Sequence, residues 1–124
     1  MITKLRVKNF RCLADTGDLA IRPLTFLVGP NSSGKSSLLD LVTMLRQTVV
    51  SPEVTNPLVA NGPLVEAGAY PDFVFGHDAR RDIQIEIECP KTGYWVGPIF
   101  FRAAFGYDAE TTDILLKESE FRRG

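Results

Sequence analysis

The chain has 124 residues, 44% hydrophobic and 23% charged, a balance that supports one packed domain or part of one and excludes wholesale disorder. Lys+Arg total 14 against 15 Asp+Glu, so no blanket field draws the chain to nucleic acid or membrane. The charge is uneven, however: residues 1–46 hold seven Lys/Arg and three Asp/Glu, and residues 47–124 hold seven and twelve, which suits an anionic ligand near the N-terminal third.

Cys12 and Cys89 stand outside any Cys-x-x-Cys or Cys/His cluster, so neither a disulfide framework nor a zinc site is expected. Reduced thiols, the lack of an 18-residue apolar run, and Lys4, Arg6 and Lys8 breaking the N-terminal apolar stretch predict a cytoplasmic chain with no membrane contact.

In chain order, residues 2–10 alternate, with Leu5 and Val7 on one face and Lys4, Arg6 and Lys8 on the other, which predicts a half-buried strand. Asp15, Gly17 and Asp18 supply turn chemistry, and residues 19–21 can return as a second strand closed by Pro23. Residues 24–28 (Leu-Thr-Phe-Leu-Val) form a continuous apolar run ended by Gly29 and Pro30. Such a run predicts a strand buried on both faces, as in a parallel sheet. Leu38, Leu41, Val42, Leu45 and Val49 then recur at helical spacing and predict an amphipathic helix over 35–48, stopped by Pro52 and Pro57.

Residues 51–76, rich in Pro, Gly and Asn, are expected to be a long loop of the functional or lid type. Ile83, Ile85 and Ile87 alternate with Gln84, Glu86 and Glu88, the pattern of a strand buried on one face. A turn at 90–93 and two more strands over 94–107 and 114–121 follow, with Gly97-Pro98 a potential break in the first.

Gly29-Pro30-Asn31-Ser32-Ser33-Gly34-Lys35-Ser36 satisfies G-x-x-x-x-G-K-[ST], the P-loop pattern. Inward-pointing N–H groups in such a loop cradle phosphate oxygens, and the helix that starts there adds its unsatisfied N–H groups and the positive end of its dipole. Lys35 would place an ammonium on the β/γ-phosphates, and the Ser36 hydroxyl would ligate Mg²⁺. The plainer alternative is a Gly-rich turn capping a helix through Ser32, Ser33 or Ser36. The strand–loop–helix setting favours phosphate binding.

These residues carry a family resemblance. The opening segment, residues 2–11, resembles the first strand of the RecF/SMC branch of ABC-type ATPases, and residues 24–37 resemble their Walker A strand and loop. Residues 39–47, 56–68 and 75–88 look like bacterial AAA-type ATPases that carry a DUF3696 region, relatives of the overcoming-lysogenization-defect group often found near anti-phage systems. The resemblance implies ATP with Mg²⁺, residues 29–37 (Ser37 included) around the phosphates, Asn31 toward the γ-phosphate, and Arg11 as a phosphate or ribose contact. Ser32 stands where many relatives have Gly, which would cost strain if φ is positive there. Gln47 is a weak match to the family's Q-loop glutamine, since it ends the Walker helix; an exposed helix-end Gln is the alternative.

Relatives hydrolyse ATP with a Walker B acidic pair, a signature loop from a second subunit and a switch histidine. No apolar run ending in Asp-Glu follows Ser37, and the one histidine, His77, reads as a surface or capping residue. The expectation is an α/β fold, the N-terminal lobe of a P-loop NTPase with an adjoining antiparallel β region. Its parts would be a P-loop core at 1–50, the loop at 51–76 and antiparallel strands at 77–124, together a partial ATPase domain. ATP is the expected partner, with a C-terminal ATPase portion or second subunit, and DNA reached through the complete assembly. The rival expectation is a non-enzymatic interaction module that keeps the fold.

Arg80, Arg81, Arg122 and Arg123 read as solvated charges, and Trp95, Phe100, Phe101, Phe105 and Tyr107 as core or lobe-interface residues. A lobe without its second half should also expose an apolar patch.

Overall fold

The computed structural model describes residues 2–29, 34–52, 56–90 and 97–123. The alternation at the N-terminus forms β1 (Lys4–Phe10), in which Leu5 and Val7 are buried and Lys4 is exposed. Asn9 has φ +63, a left-handed conformation that asparagine tolerates better than most residues. The kink shifts the alternation by one, so Phe10, of the same parity as Lys8, turns inward and is fully buried. Asn9 Nδ2 holds the kink by donating to the carbonyl of Asp82 at 2.9 Å.

The chain then folds back on β1 twice, as β2 (Leu13–Asp15) and as β3 (Leu19–Ala20), the second matching the predicted return strand. Later in the sequence come β4 (Ile83–Cys89), β5 (Ile99–Asp108) and β6 (Asp113–Arg123). All pairings are antiparallel, in the order β2-β1-β4-β5-β6 with β3 beside β2 on β1. One row across the outer face reads Arg6, Glu86, Arg102, Glu120, alternating in sign. Slipping a strand by one residue would carry these charges into the core, so the row specifies register. Of the last predicted strands, β5 begins only at Ile99, after Gly97 with φ +106, and Trp95 lies outside the described residues.

The helix α1 (Lys35–Val50) occupies the predicted stretch, but its buried positions are Ser37, Leu41, Met44 and Gln47. Leu38 and Leu45 only flank the core, and Val42 and Val49 are exposed. The predicted stripe is thus rotated, because Ser37 and Gln47 find polar partners inside and the spacing of apolar residues does not report that. The described residues of 51–76 contribute to the core. They include α2 (Tyr70–Phe73) and lead into a 3₁₀ turn, Phe75–His77. Leu58, Tyr70, Phe73 and Val74 of this stretch are fully buried against Phe10, Met44 and Ile85. Apolar content, which outweighs the Pro and Gly, makes this connection part of the core.

The buried strand predicted at 24–28 is absent. Those residues have no regular structure, and Leu24, Phe26 and Val28 are 72%, 77% and 89% exposed. A strand buried on both faces needs parallel neighbours. Here β1 is taken by β4 on one side and by β2 and β3 on the other, so β1 offers it no open side. Of the expected α/β fold with an adjoining antiparallel region, the described residues show the antiparallel sheet and one long helix, and no parallel strand pairing among them. No helix among them is long and apolar enough to cross a membrane.

Candidate functional site

The site assembles where the β1–β2 turn meets the start of α1. Gly34 precedes the helix with φ +98 and ψ 3, a left-handed conformation that costs glycine little and other residues more. A Cβ at Gly34 would sit 2.8 Å from Leu13 Cδ2 and 3.6 Å from Cys12 Sγ. The backbone conformation favours glycine there, and any larger residue would also have to displace the end of the Leu13 side chain. The helix start carries no side-chain cap and no acidic residue in its first turn, so the positive end of its dipole is left without an internal anion.

Lys35 folds back so that its ammonium donates to the carbonyl of Gly29, closing the loop end to end. Ser36 is exposed, and Ser37 is buried with its Oγ 3.4 Å from Cys12 Sγ. Cys12 and Cys89 are not bonded to each other. Pro30, Asn31, Ser32 and Ser33, with the readings placed on them, lie outside the described residues.

Arg11 stands on the turn that backs Gly34. Its φ is +51, strained for an arginine, and its N–H donates to the Phe73 carbonyl at 2.6 Å. The guanidinium pairs with Asp40 on α1 at 2.9 Å and lies 5.9 Å from the centre of the Phe10 ring, while its Nε is buried with no hydrogen-bond partner. The structure brings Arg11 to the same helix as Lys35 and Ser36 and ties it to a carboxylate. Asp40 was not singled out from the sequence. The available signal is its place one helical turn beyond Ser36.

Gln47 is neither a loop glutamine nor an exposed helix end. It is 2% exposed. Nε2 donates to the carbonyls of Val59 (2.9 Å) and Val65 (3.2 Å), and Oε1 accepts from the N–H groups of Leu64 (2.9 Å) and Val65 (3.1 Å). The amide is fully used in fastening residues 59–65 to the helix. His77 is exposed, with Nδ1 2.9 Å from the Pro71 carbonyl, in keeping with a capping role.

Other charges are spent locally. Arg80 and Arg81 flank Asp78, whose carboxyl Arg80 holds below its ordinary range by hydrogen bonding. Arg122 pairs with Glu120 at 2.9 Å and lies over Phe100. Of the aromatic residues, Phe105 is buried and Tyr107 stacks on Tyr70, while Phe101 is 40% exposed.

A glycine-opened, uncapped helix start with a lysine folded across the loop is an arrangement that can accept a polyanion. The AAA ATPase domain family matches residues 1–91, and the chain belongs to that family. A stretch of 45 residues is 49% identical to the OLD nuclease of Thermus scotoductus (strain ATCC 700910 / SA-01). It makes up 36% of this chain and 8% of that protein's length, so the chain answers to only a small part of that relative.

Proposed function

We propose that this chain is the ATP-binding N-terminal lobe of an ABC-type ATPase, with residues 29–37 around the phosphates. The observation that carries the reading is the start of α1. Gly34 is held left-handed against Leu13, the helix is uncapped, and the Lys35 ammonium rests on a backbone carbonyl that a phosphate oxygen can replace. The N–H groups of the first turn would hold phosphate oxygens, and Lys35 would exchange the Gly29 carbonyl for the β/γ-phosphates. Mg²⁺ fits the exposed Ser36 hydroxyl and would neutralise phosphate charge there. Arg11 would serve as a phosphate or ribose contact once released from Asp40.

Hydrolysis in this reading needs a Walker B acid and a signature loop from the rest of the protein or a second subunit. That part would also cover residues 24–28 and the exposed Leu39, Val42 and Val49 of α1, completing the α/β core. DNA would engage the complete assembly, since Arg80, Arg81 and Arg122 are already paired within this chain.

The test is titration of a fluorescent ATP analogue with and without Mg²⁺, with Lys35→Ala in parallel. Losing a charge-assisted contact worth about 1.5–3 kcal/mol should weaken binding roughly 10- to 100-fold. Unchanged affinity in the variant would refute the assignment.

A further inference from the structure

Among the described residues the sheet ends in a long, exposed strand. β6 is 11 residues long, contains no proline and is exposed at most positions, and β5 is its one neighbour among the described residues. Edges are usually guarded by short length, proline or an outward lysine. Lys117 does not guard this one, because its Nζ lies 3.1 Å from Asp82 and its stem crosses Gly106 of β5.

The two ends of the edge differ in charge. At its start Asp113 is set directly against Asp108, a like-charge pair that destabilises a sheet, and neither carboxylate has an ion pair among the described residues. At its far end stand Arg122 and Arg123. Pairing with a second copy in the parallel sense sets like on like, whereas antiparallel pairing sets acid on base twice.

The bulge makes the register possible. Ala104 pairs with Glu118 and Phe105 with Leu116, so Lys117 is the extra residue. In a regular strand residues 113 and 122 lie on opposite faces. Here Asp113 lies opposite Asp108 and Arg122 opposite Phe100, both even positions of β5 and so one face. Ile114, Leu116, Ser119 and Phe121 lie opposite Tyr107, Phe105, Ala103 and Phe101 and share the other.

We propose that two copies of this chain join edge to edge through antiparallel β6 strands, with Asp113 facing the partner's Arg122 and Ile114 facing the partner's Phe121. In this register Leu116 meets the partner's Ser119, each of these three pairs stays on one face, and exposed Leu116 (49%) and Phe121 (59%) gain cross-strand neighbours. Each acidic start gains a cation, with Arg122 shared between Glu120 of its own strand, 2.9 Å away, and the partner's Asp113. The inference is independent of nucleotide binding, and Lys35→Ala should leave it unchanged.

Sedimentation equilibrium of the chain tests it, with far-UV circular dichroism to confirm folding. The expected mass is twice 13.7 kDa. Asp113→Arg and Arg122→Asp should each lose the dimer, and the double swap should regain it, since the charges then match in exchanged places. A monomer throughout the micromolar range would overturn the proposal and leave the edge to another segment or partner. A dimer indifferent to both single swaps, or a folded double variant that stays monomeric, would overturn it as well.

Discussion

Replacing Gln47 with leucine removes the amide that fastens residues 59–65 to α1. Four hydrogen bonds are lost, one fully buried and three half-buried. With ~1–3 kcal/mol for the buried group left unpaired and ~0.5–1 kcal/mol for each half-buried one, the loss is about 3–6 kcal/mol. Added apolar burial returns roughly 1 kcal/mol. Little more is available, since a Cβ at Gly62 would stand only 2.6 Å from Gln47 Cδ and a branched side chain has no room there. The net is ~2–5 kcal/mol, a large share of the stability of a domain this size. At about 4 °C per kcal/mol that is a Tm lowered by roughly 8–20 °C. Calorimetry reads the total, and hydrogen exchange at the Leu64 and Val65 amides reads the site. Thr43→Val, which removes a side-chain bond to Leu39 on the exposed side of the same helix, should change stability by no more than about 0.5 kcal/mol. A Tm shift of Gln47→Leu no larger than that of Thr43→Val, with Leu64 and Val65 still protected, would refute the reasoning.

Gly34→Ala adds strain at φ +98 and a contact near 2.8 Å with Leu13, so stability should fall by about 1–3 kcal/mol in urea unfolding; Leu13→Ala in the same chain should relieve only part of it. The Tyr70 hydroxyl, which donates to the Arg81 carbonyl (2.6 Å) and accepts from Ile83 N–H (3.2 Å), is pushed up to about 12 by burial. Its contribution is complete below the unfolded value near 10 and is lost as pH rises toward 12. Tyr70→Phe should flatten that alkaline decline in stability and cost ~1–3 kcal/mol at neutral pH. Arg6, hydrogen-bonded to Asp15 at 2.8 and 3.1 Å, holds that carboxyl well below the usual carboxylate range. The stabilisation is present above the unfolded value near 3.9 and disappears as pH falls through the folded one. Carboxyl NMR should show Asp15 still ionised when other exposed aspartates are protonated, and Arg6→Gln should bring it back into line.

Local signals were sufficient where a residue's role depends on its near neighbours in sequence. Leu5, Val7, Ile83 and Ile85 are buried as alternation predicts, because a strand in an antiparallel sheet is sorted by its own period. The helix begins at Lys35, where the G-K-S of the loop places it. Gly34 was legible as a loop glycine, although its second constraint, the packing of Leu13 and Cys12 against it, belongs to a turn some twenty residues away. Phe10 was not legible, since its burial depends on the left-handed kink at Asn9.

Residues 24–28 and Gln47 mark the boundary between what the two levels decide. By itself the sequence determined the glycine-opened helix start and the buried faces of β1 and β4, which follow from spacing along the chain, and its motifs pointed to the family. Tertiary structure decided which elements found partners. The apolar run at 24–28 stays exposed because β1 already has strands on both sides. Gln47 is buried because four backbone groups of a distant segment satisfy its amide. Apolarity states what burial would gain, but only the arrangement of neighbours determines whether a strand has an edge to join or a polar group has its hydrogen bonds.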